Sequence, residues 1–262
     1  AAKPNAKADD EGTAKKEDTD PLGLELLKHE KPLDEALKYL TPMLELTPKR
    51  IDVQIAGFEV YLRRRKLFAF HNPTIIINNL GFFMLTTLSP AEKYLPAAKC
   101  LLAARALDPS HPKCHEHSLR LQHALAGLSE PLPPQIQSVL QSTFLSTLDP
   151  TISPQDQNEA HLQSHRESAS HVHTVIRVRQ ALSSSSPSSP SSSSSVDDES
   201  AKKTQKANLH LLLSTLEFPG ISFREVLEGK SLLAEIGADR QAHEAYLELA
   251  GKRWPEATVL RG

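Results

Sequence analysis

The sequence predicts an all-α fold built of stacked helical hairpins, an α-solenoid fragment with a disordered N-terminus and a Ser-rich linker. Three observations carry that expectation. Glycine is scarce, ten in 262 residues, whereas leucine and alanine abound. Apolar residues recur at helical rather than alternating spacing. The segments that carry them are amphipathic and joined by short loops, so none can bury its apolar face alone.

The helices are read in order. Pro32 stands at a helix start, where a missing N–H costs nothing. Leu33, Ala36, Leu37, Leu40 and Leu44 then form one face, with Pro42 expected to kink the helix. Ile51, Ile55, Phe58 and Leu62 mark a second helix. Tyr94, Ala97, Ala98, Leu101, Leu102 and Ala104 mark a third, which stops at Leu107-Asp108-Pro109. Leu121, Leu125 and Leu128 mark a fourth, and Ile136, Val139, Leu140 and Phe144 a fifth. Residues 154–182 are more polar, with a stripe of Val172, Val175, Ile176 and Val178. Three more faces follow: Leu209, Leu212, Leu213 and Leu216; Phe223, Val226, Leu227 and Leu233; then Ala242, Tyr246, Leu249 and Trp254. At least seven helices and no sheet are expected. Phe144, Phe223, Tyr246 and Trp254 sit at core spacing, where aromatic rings pack rather than stack on ligands.

Composition shifts set the expected organisation. Residues 1–20 are charged and poor in apolar side chains, so burial cannot offset the entropy of ordering them; they are expected to be disordered. The N-terminal residues have no apolar stretch behind them and do not form a secretory signal. The chain opens without Met in mid-tract, which suggests a fragment or an incomplete gene model. Residues 183–204 begin as nearly pure Ser with Pro187 and Pro190 and continue charged, the composition of a flexible linker. The linker divides a helical region at 21–182 from a C-terminal helical bundle at 205–262.

Ala104-Arg105-Ala106-Leu107-Asp108-Pro109 resembles the end of a tetratricopeptide repeat (TPR), a unit of about 34 residues in which small residues let two helices approach closely and a proline closes the second. Counted back from Pro109, Leu101, Ala97 and Tyr94 occupy the aliphatic, small and aromatic positions. The expected first helix is displaced by Leu67–Glu92, which holds four of the eight Phe and three consecutive Ile. Removing these residues joins Arg65-Lys66 to Lys93-Tyr94 and restores the register, with Ile55, Phe58 and Leu62 in the first-helix core positions. The segment therefore reads as a translated intron or a lineage-specific insertion. A membrane span is the rival, since Leu67–Leu88 approaches spanning length. His71, Asn72, Pro73, Asn78 and Asn79 are costly in hydrocarbon and speak against it.

Several stretches together resemble the C-terminal part of the auxiliary subunit of the NatA N-terminal acetyltransferase. They are Asp20-Pro21-Leu22-Gly23-Leu24-Glu25-Leu26-Leu27 with Pro32–Leu40, then Phe58–Arg64, then Ala106–Pro112, and near the end Ala242-His243-Glu244-Ala245-Tyr246 with Arg253-Trp254-Pro255. The resemblance covers 20–130 well, 131–182 loosely and 205–262 fairly. It implies a non-catalytic superhelical scaffold wrapped around a small catalytic N-terminal acetyltransferase subunit, cytoplasmic and placed near the ribosomal exit tunnel. The acetyl-CoA site then belongs to the partner. A different TPR adaptor, such as a co-chaperone that clamps a peptide carboxylate, is the alternative, although only one repeat is recognisable.

The search for chemistry points the same way. The sequence has no G-x-S-x-G elbow and neither of the Gly-rich phosphate loops, so no catalytic residue and no cofactor is expected. Asp9-Asp10 and Asp197-Asp198 fall in stretches expected to be disordered, where no environment can tune them. His111, Cys114, His115, His117 and His123 with Glu116 suggest zinc, but adjacent helical positions point apart and only Cys114–His117 has ligand spacing. No metal is expected. The two cysteines, Cys100 and Cys114, make no disulfide framework, and a net charge of −2 gives no global case for nucleic acid or a membrane surface. Arg63-Arg64-Arg65-Lys66 is the densest basic run. It is the candidate contact for ribosomal RNA phosphates, with a solvated helix end as the plainer reading.

Overall fold

The computed structural model describes residues 23–68, 94–128, 131–149, 151–183 and 195–258. The expectations for residues 1–20, for most of the Leu67–Glu92 segment and for residues 184–194 lie outside them. The described residues form helices α1 (Leu24–Leu27), α2 (Pro32–Leu46), α3 (Ile51–Phe68), α4 (Tyr94–Leu107), α5 (Pro112–Ala126), α6 (Pro134–Thr143), α7 (Pro154–Ser164), α8 (Ala169–Ser183), α9 (Ser195–Thr215), α10 (Phe223–Glu235) and α11 (Arg240–Arg253), with a short 3-10 turn at Leu145–Thr147. No strand occurs among the described residues, and the all-α expectation holds.

The helix ends follow from local chemistry. Pro32, Pro112, Pro134 and Pro154 each open a helix, where no intrahelical N–H is lost. Ser222 and Glu225 form a reciprocal capping box at the start of α10, satisfying two orphan N–H groups. The far end of α10 closes on Gly237 with φ +63°, and the Ala238 N–H reaches back to the Leu233 carbonyl. A Cβ is disfavoured at that φ, hence the glycine. Helix α2 runs through Pro42 without a break in its assigned length.

Two cores form. In the first, Phe58 and Leu62 of α3 meet Tyr94, Ala97, Ala98, Cys100 and Leu101 of α4, closed by Leu121, Leu140 and Phe144 from α5, α6 and the residue that follows α6. Gly57 marks the closest approach: a Cβ there would lie 2.8 Å from Cys100 Sγ and 3.3 Å from Leu44 Cδ2. Thus α3 and α4 pair through the positions that the restored repeat assigns to them, with Ile55 only half-buried. In the second core, Leu162 of α7 and Val172, Val175 and Ile176 of α8 pack with Leu212 of α9 and Leu216 just beyond it, Val226, Leu232 and Leu233 of α10, and Tyr246 and Ala250 of α11.

Several features depart from expectation. Residues 154–182, for which the sequence shows only the stripe at Val172–Val178, form two helices, because the chain turns at His165–Glu167. Helix α9 begins at Ser195 and so takes in part of the expected linker, since Asp197, Asp198 and Glu199 favour a helix N-terminus and Ala201-Lys202-Lys203 are good helix formers. Helices on both sides of residues 184–194 also share one core. Val139 and Leu249, placed on core stripes, are exposed.

Arg253 and Trp254 tie the end of α11 to the segment that follows α9. The Arg253 guanidinium donates to the carbonyls of Leu216 (2.9 Å), Phe218 (2.6 Å) and Pro219 (2.8 Å), bracing the turn that follows α9. It also lies over the Trp254 ring, 5.1 Å from the centroid.

Two outcomes are expected. Deleting Leu67–Glu92 should preserve a helical circular dichroism spectrum and cooperative melting while raising soluble yield, because it removes Ile75–Ile77, Phe82 and Phe83, an aggregation-prone run. Loss of cooperative melting would make the segment part of the fold. Gly229→Ala should destabilise by about 2 kcal/mol in urea titration, because the new methyl group would overlap the Tyr246 hydroxyl, which donates to the Val226 carbonyl at 3.0 Å. Removing that hydroxyl in Tyr246→Phe should recover part of the loss.

Candidate functional site

Helix α5 positions most of the polar chemistry. Its N-cap is His111, whose ring Nδ1 accepts from the Lys113 N–H. Successive residues leave the helix about 100° apart, so neighbours in sequence serve different surroundings. His117 points at α3 and His115 at α7. The five residues His111, Cys114, His115, His117 and His123 are therefore not brought to one point. Cys114 is buried and its thiol donates to the Asp108 carbonyl. Burial pushes the Cys100 and Cys114 thiols up to about 11, so both are inert.

The first constellation joins α3 to α5. Arg120 grips the Glu59 carboxylate with two N–H groups, at 2.5 and 3.2 Å, and reaches Glu116 at 3.0 Å. His117, stacked on Phe58 with centroids 4.1 Å apart, donates its Nε2–H to Glu59 at 3.0 Å. Lys113 holds the other oxygen of the buried Glu116 at 2.8 Å. Burial opposes ionisation of Glu59, but the bonds from His117 and Arg120 outweigh it and hold its carboxyl well below the usual range. Burial likewise keeps His117 neutral despite its acidic partner. Two cations and an imidazole N–H thus satisfy two carboxylates. The arrangement is a structural pin, since the carboxylate oxygens that a metal could use are already engaged by donors.

The second constellation is not legible as a site from the sequence. His161 and His165 at the end of α7 and His171 of α8 converge, with one ligand atom of each within 4.8 Å of the others. His161 Nε2 and His171 Nδ1 are 2.9 Å apart. His115 stacks on His161 with centroids 3.7 Å apart and nearly parallel planes, and His165 stacks on His171 at 4.1 Å. Asn158 fixes His115: its amide donates to the Val175 carbonyl, so its oxygen accepts from His115 Nε2–H at 3.1 Å. Burial and the neighbouring rings depress His161 to about 3 and His171 to about 4, so both are neutral imidazoles at pH 7. A cavity of about 240 Å³, lined in part by Arg105, Ser110, His111 and Gln157, opens beside His115, His161 and His165. The one sequence signal is the His161-x-x-x-His165 spacing, which lies well beyond the histidine-rich stretch of α5.

The basic run is only partly a free surface. Arg64 reaches across to Asp34 of α2 at 2.6 Å, and Arg63 lies exposed beside Glu59 at 3.4 Å. The side chains of Arg65 and Lys66 lie outside the described residues. No described helix is long and apolar enough to cross a membrane.

The class that emerges is a helical-hairpin scaffold whose polar clusters join helices to one another. Residues 1–72 match the model of the family described as N-terminal acetyltransferase A, auxiliary subunit. Over that segment, at the N-terminal end of this chain, the sequence is similar to the NatA auxiliary-subunit family, and the match ends inside the Leu67–Glu92 segment. Ala106–Pro112 and Ala242–Pro255, which carry the resemblance further along, lie outside the match. The peptide-clamp alternative gains nothing from it.

The buried pin yields a prediction. Glu59→Gln should cost about 2–3 kcal/mol at pH 7, because the half-buried Arg120 loses its two-pronged carboxylate partner and keeps only Glu116. The folded-state pKa of Glu59 is depressed, so its contribution is present above the unfolded value near 4.5 and is lost as pH falls. The gap between parent and variant in urea midpoints should therefore narrow below about pH 4. A gap that widens on acidification would overturn the assignment.

Proposed function

We propose that this chain acts as a non-catalytic auxiliary subunit that supports a catalytic N-terminal acetyltransferase working on nascent chains at the ribosome, in the cytoplasm. The observation that carries the reading is the family match over residues 1–72. Its described part includes α2 and α3, and α3 pairs with α4 as a helical hairpin. Helical hairpins suit this work, because stacked amphipathic helices present extended rigid surfaces to a partner. An auxiliary subunit of this kind implies a partner chain that holds acetyl-CoA and performs the transfer. A co-chaperone-like TPR adaptor is the competing class, and co-purification separates the two. The tagged full-length endogenous protein should recover a small acetyltransferase together with ribosomes; recovery of chaperones instead would overturn the reading.

The basic run gives the second test. Arg64 also ties α3 to α2, so a charge test should spare it. Replacing Arg63, Arg65 and Lys66 with Gln keeps helix propensity and removes three charges. Ribosome co-sedimentation across a salt series should weaken at low salt, with the slope falling by roughly one unit for each phosphate no longer neutralised. Acetylation of a free peptide by the reconstituted complex should not change. Co-sedimentation unchanged at every salt concentration would return the run to a solvated helix end.

A further inference from the structure

We propose that His161, His165 and His171 form a binding site for a divalent transition-metal ion of the Zn²⁺ class, one that clamps α7 to α8 across the turn at 165–168.

Geometry is the first ground. Three imidazoles from two helices and the turn between them each offer a nitrogen within 4.8 Å of the others. Three nitrogens bound to zinc at about 2.0–2.1 Å lie roughly 3.4 Å apart, a spacing close to the one that this set already shows. His161 stands in the last turn of α7 and His165 is the residue that ends it, four positions on, and the two rings lie 4.4 Å apart by their centroids. His171 enters from the first turn of α8, and the backbone between them is fixed by the His165 N–H to the Leu162 carbonyl (3.2 Å) and the Ser168 N–H to the His165 carbonyl (3.2 Å).

The second ground is orientation. His165 Nδ1 lies 3.1 Å from the His161 carbonyl and donates its proton there, which leaves Nε2 with its lone pair free for a metal. A carbonyl partner of this kind is what orients most metal-binding histidines. His115 stacks on the outer face of His161 and is itself held by Asn158, so the ring that contributes Nε2 is braced from behind.

The donor set is the third ground. The other cluster with the right spacing, Glu59, Glu116 and His117, already carries Arg120 and Lys113 as its cations. The three-imidazole set has no such internal cation in contact with its ring nitrogens among the described residues. Neutral imidazole suits Zn²⁺, Cu²⁺ and Ni²⁺, whereas Mg²⁺ and Ca²⁺ require oxygen ligands. The rings are half-buried beside a cavity, which leaves room for water as a fourth ligand.

The experiment uses the full chain, freed of metal by chelation, with ZnCl₂ as the only added ligand. Calorimetry should give one Zn²⁺ per chain, and the melting temperature should rise with Zn²⁺ because only the folded state assembles the ligands. The double variant His161→Gln, His171→Gln should bind roughly 100-fold more weakly or not at all, given that changes even to outer residues of such sites cost 10–100-fold. His210→Gln, at an exposed position on α9, should bind like the parent. A second measurement needs no variant: carbethoxylation of histidines, mapped by mass spectrometry, should fall at His161, His165 and His171 when Zn²⁺ is added. MgCl₂ should neither bind nor protect. Absence of Zn²⁺ binding, undiminished binding by the folded double variant, or Zn²⁺ binding without protection of these three histidines would each overturn the proposal.

Discussion

The burial of α8 on every side is the constraint on which the rest of the structure depends. Val172, His173, Thr174, Val175, Ile176 and Val178 are all buried, so α8 has no solvent face along its middle turns. It packs against α5 on one side and against α7, α9 and α10 on the others. A helix in that position must bring its charges out at the end. Arg177 does so by pairing with Glu228 (2.7 Å) and Glu235 (3.3 Å) of α10, and Arg179 by pairing with Glu159 of α7 (2.6 Å). His173 is the exception, with neither ring nitrogen hydrogen-bonded. Burial drives it to the neutral form, because a charged imidazole there would carry the full desolvation penalty.

Through α5 that constraint reaches the first core. One face of α5 presses Leu121 into the α3–α4 core, and the same helix packs along α8. Its polar residues are accordingly sorted by direction: Glu116, His117 and Arg120 serve the pin to α3, whereas His115 turns to the imidazole cluster of α7 and α8. Consecutive residues of one helix thus belong to two constellations that share no atom. Helical spacing alone keeps the adjacent histidines of α5 from binding one ion. It cannot show that His115 meets histidines 46 to 56 residues further on, because that meeting is a product of tertiary packing.

Elements were legible wherever periodicity and punctuation agreed. Proline at the first helical turn located α2, and the Tyr94–Ala104 face and Asp108-Pro109 stop located α4. These signals reflect costs that act within a few residues of the chain. The break between α7 and α8 was less visible, since no Gly or Pro marks His165–Ser168; polar turn bonds and the change of face at Ala169 end one helix and begin the other. Val139 and Leu249 were misplaced for a related reason. A helical stripe wider than its contact leaves marginal residues exposed, and periodicity alone does not set the width of the neighbour. The basic run shows the same limit in its charges: spacing revealed four adjacent cations, but not that Asp34 stands opposite Arg64.

The pairing of α3 with α4 bears most directly on the scaffold reading. The two helices pack through Phe58, Leu62, Tyr94, Ala97, Ala98 and Leu101, all buried, and Gly57 allows the approach. Every one of those residues lies outside Leu67–Glu92. A helical pair that meets across about 26 intervening residues depends on the complementarity of its faces more than on the length of chain between them. Lengthening a loop costs only about 0.6 kcal/mol per doubling, whereas burying one aromatic or leucine side chain gains about 1.5–3 kcal/mol. The helical hairpin therefore tolerates the segment energetically. The segment adds a separate liability in its sequence, since its run of Ile and Phe has the composition of an aggregation-prone stretch.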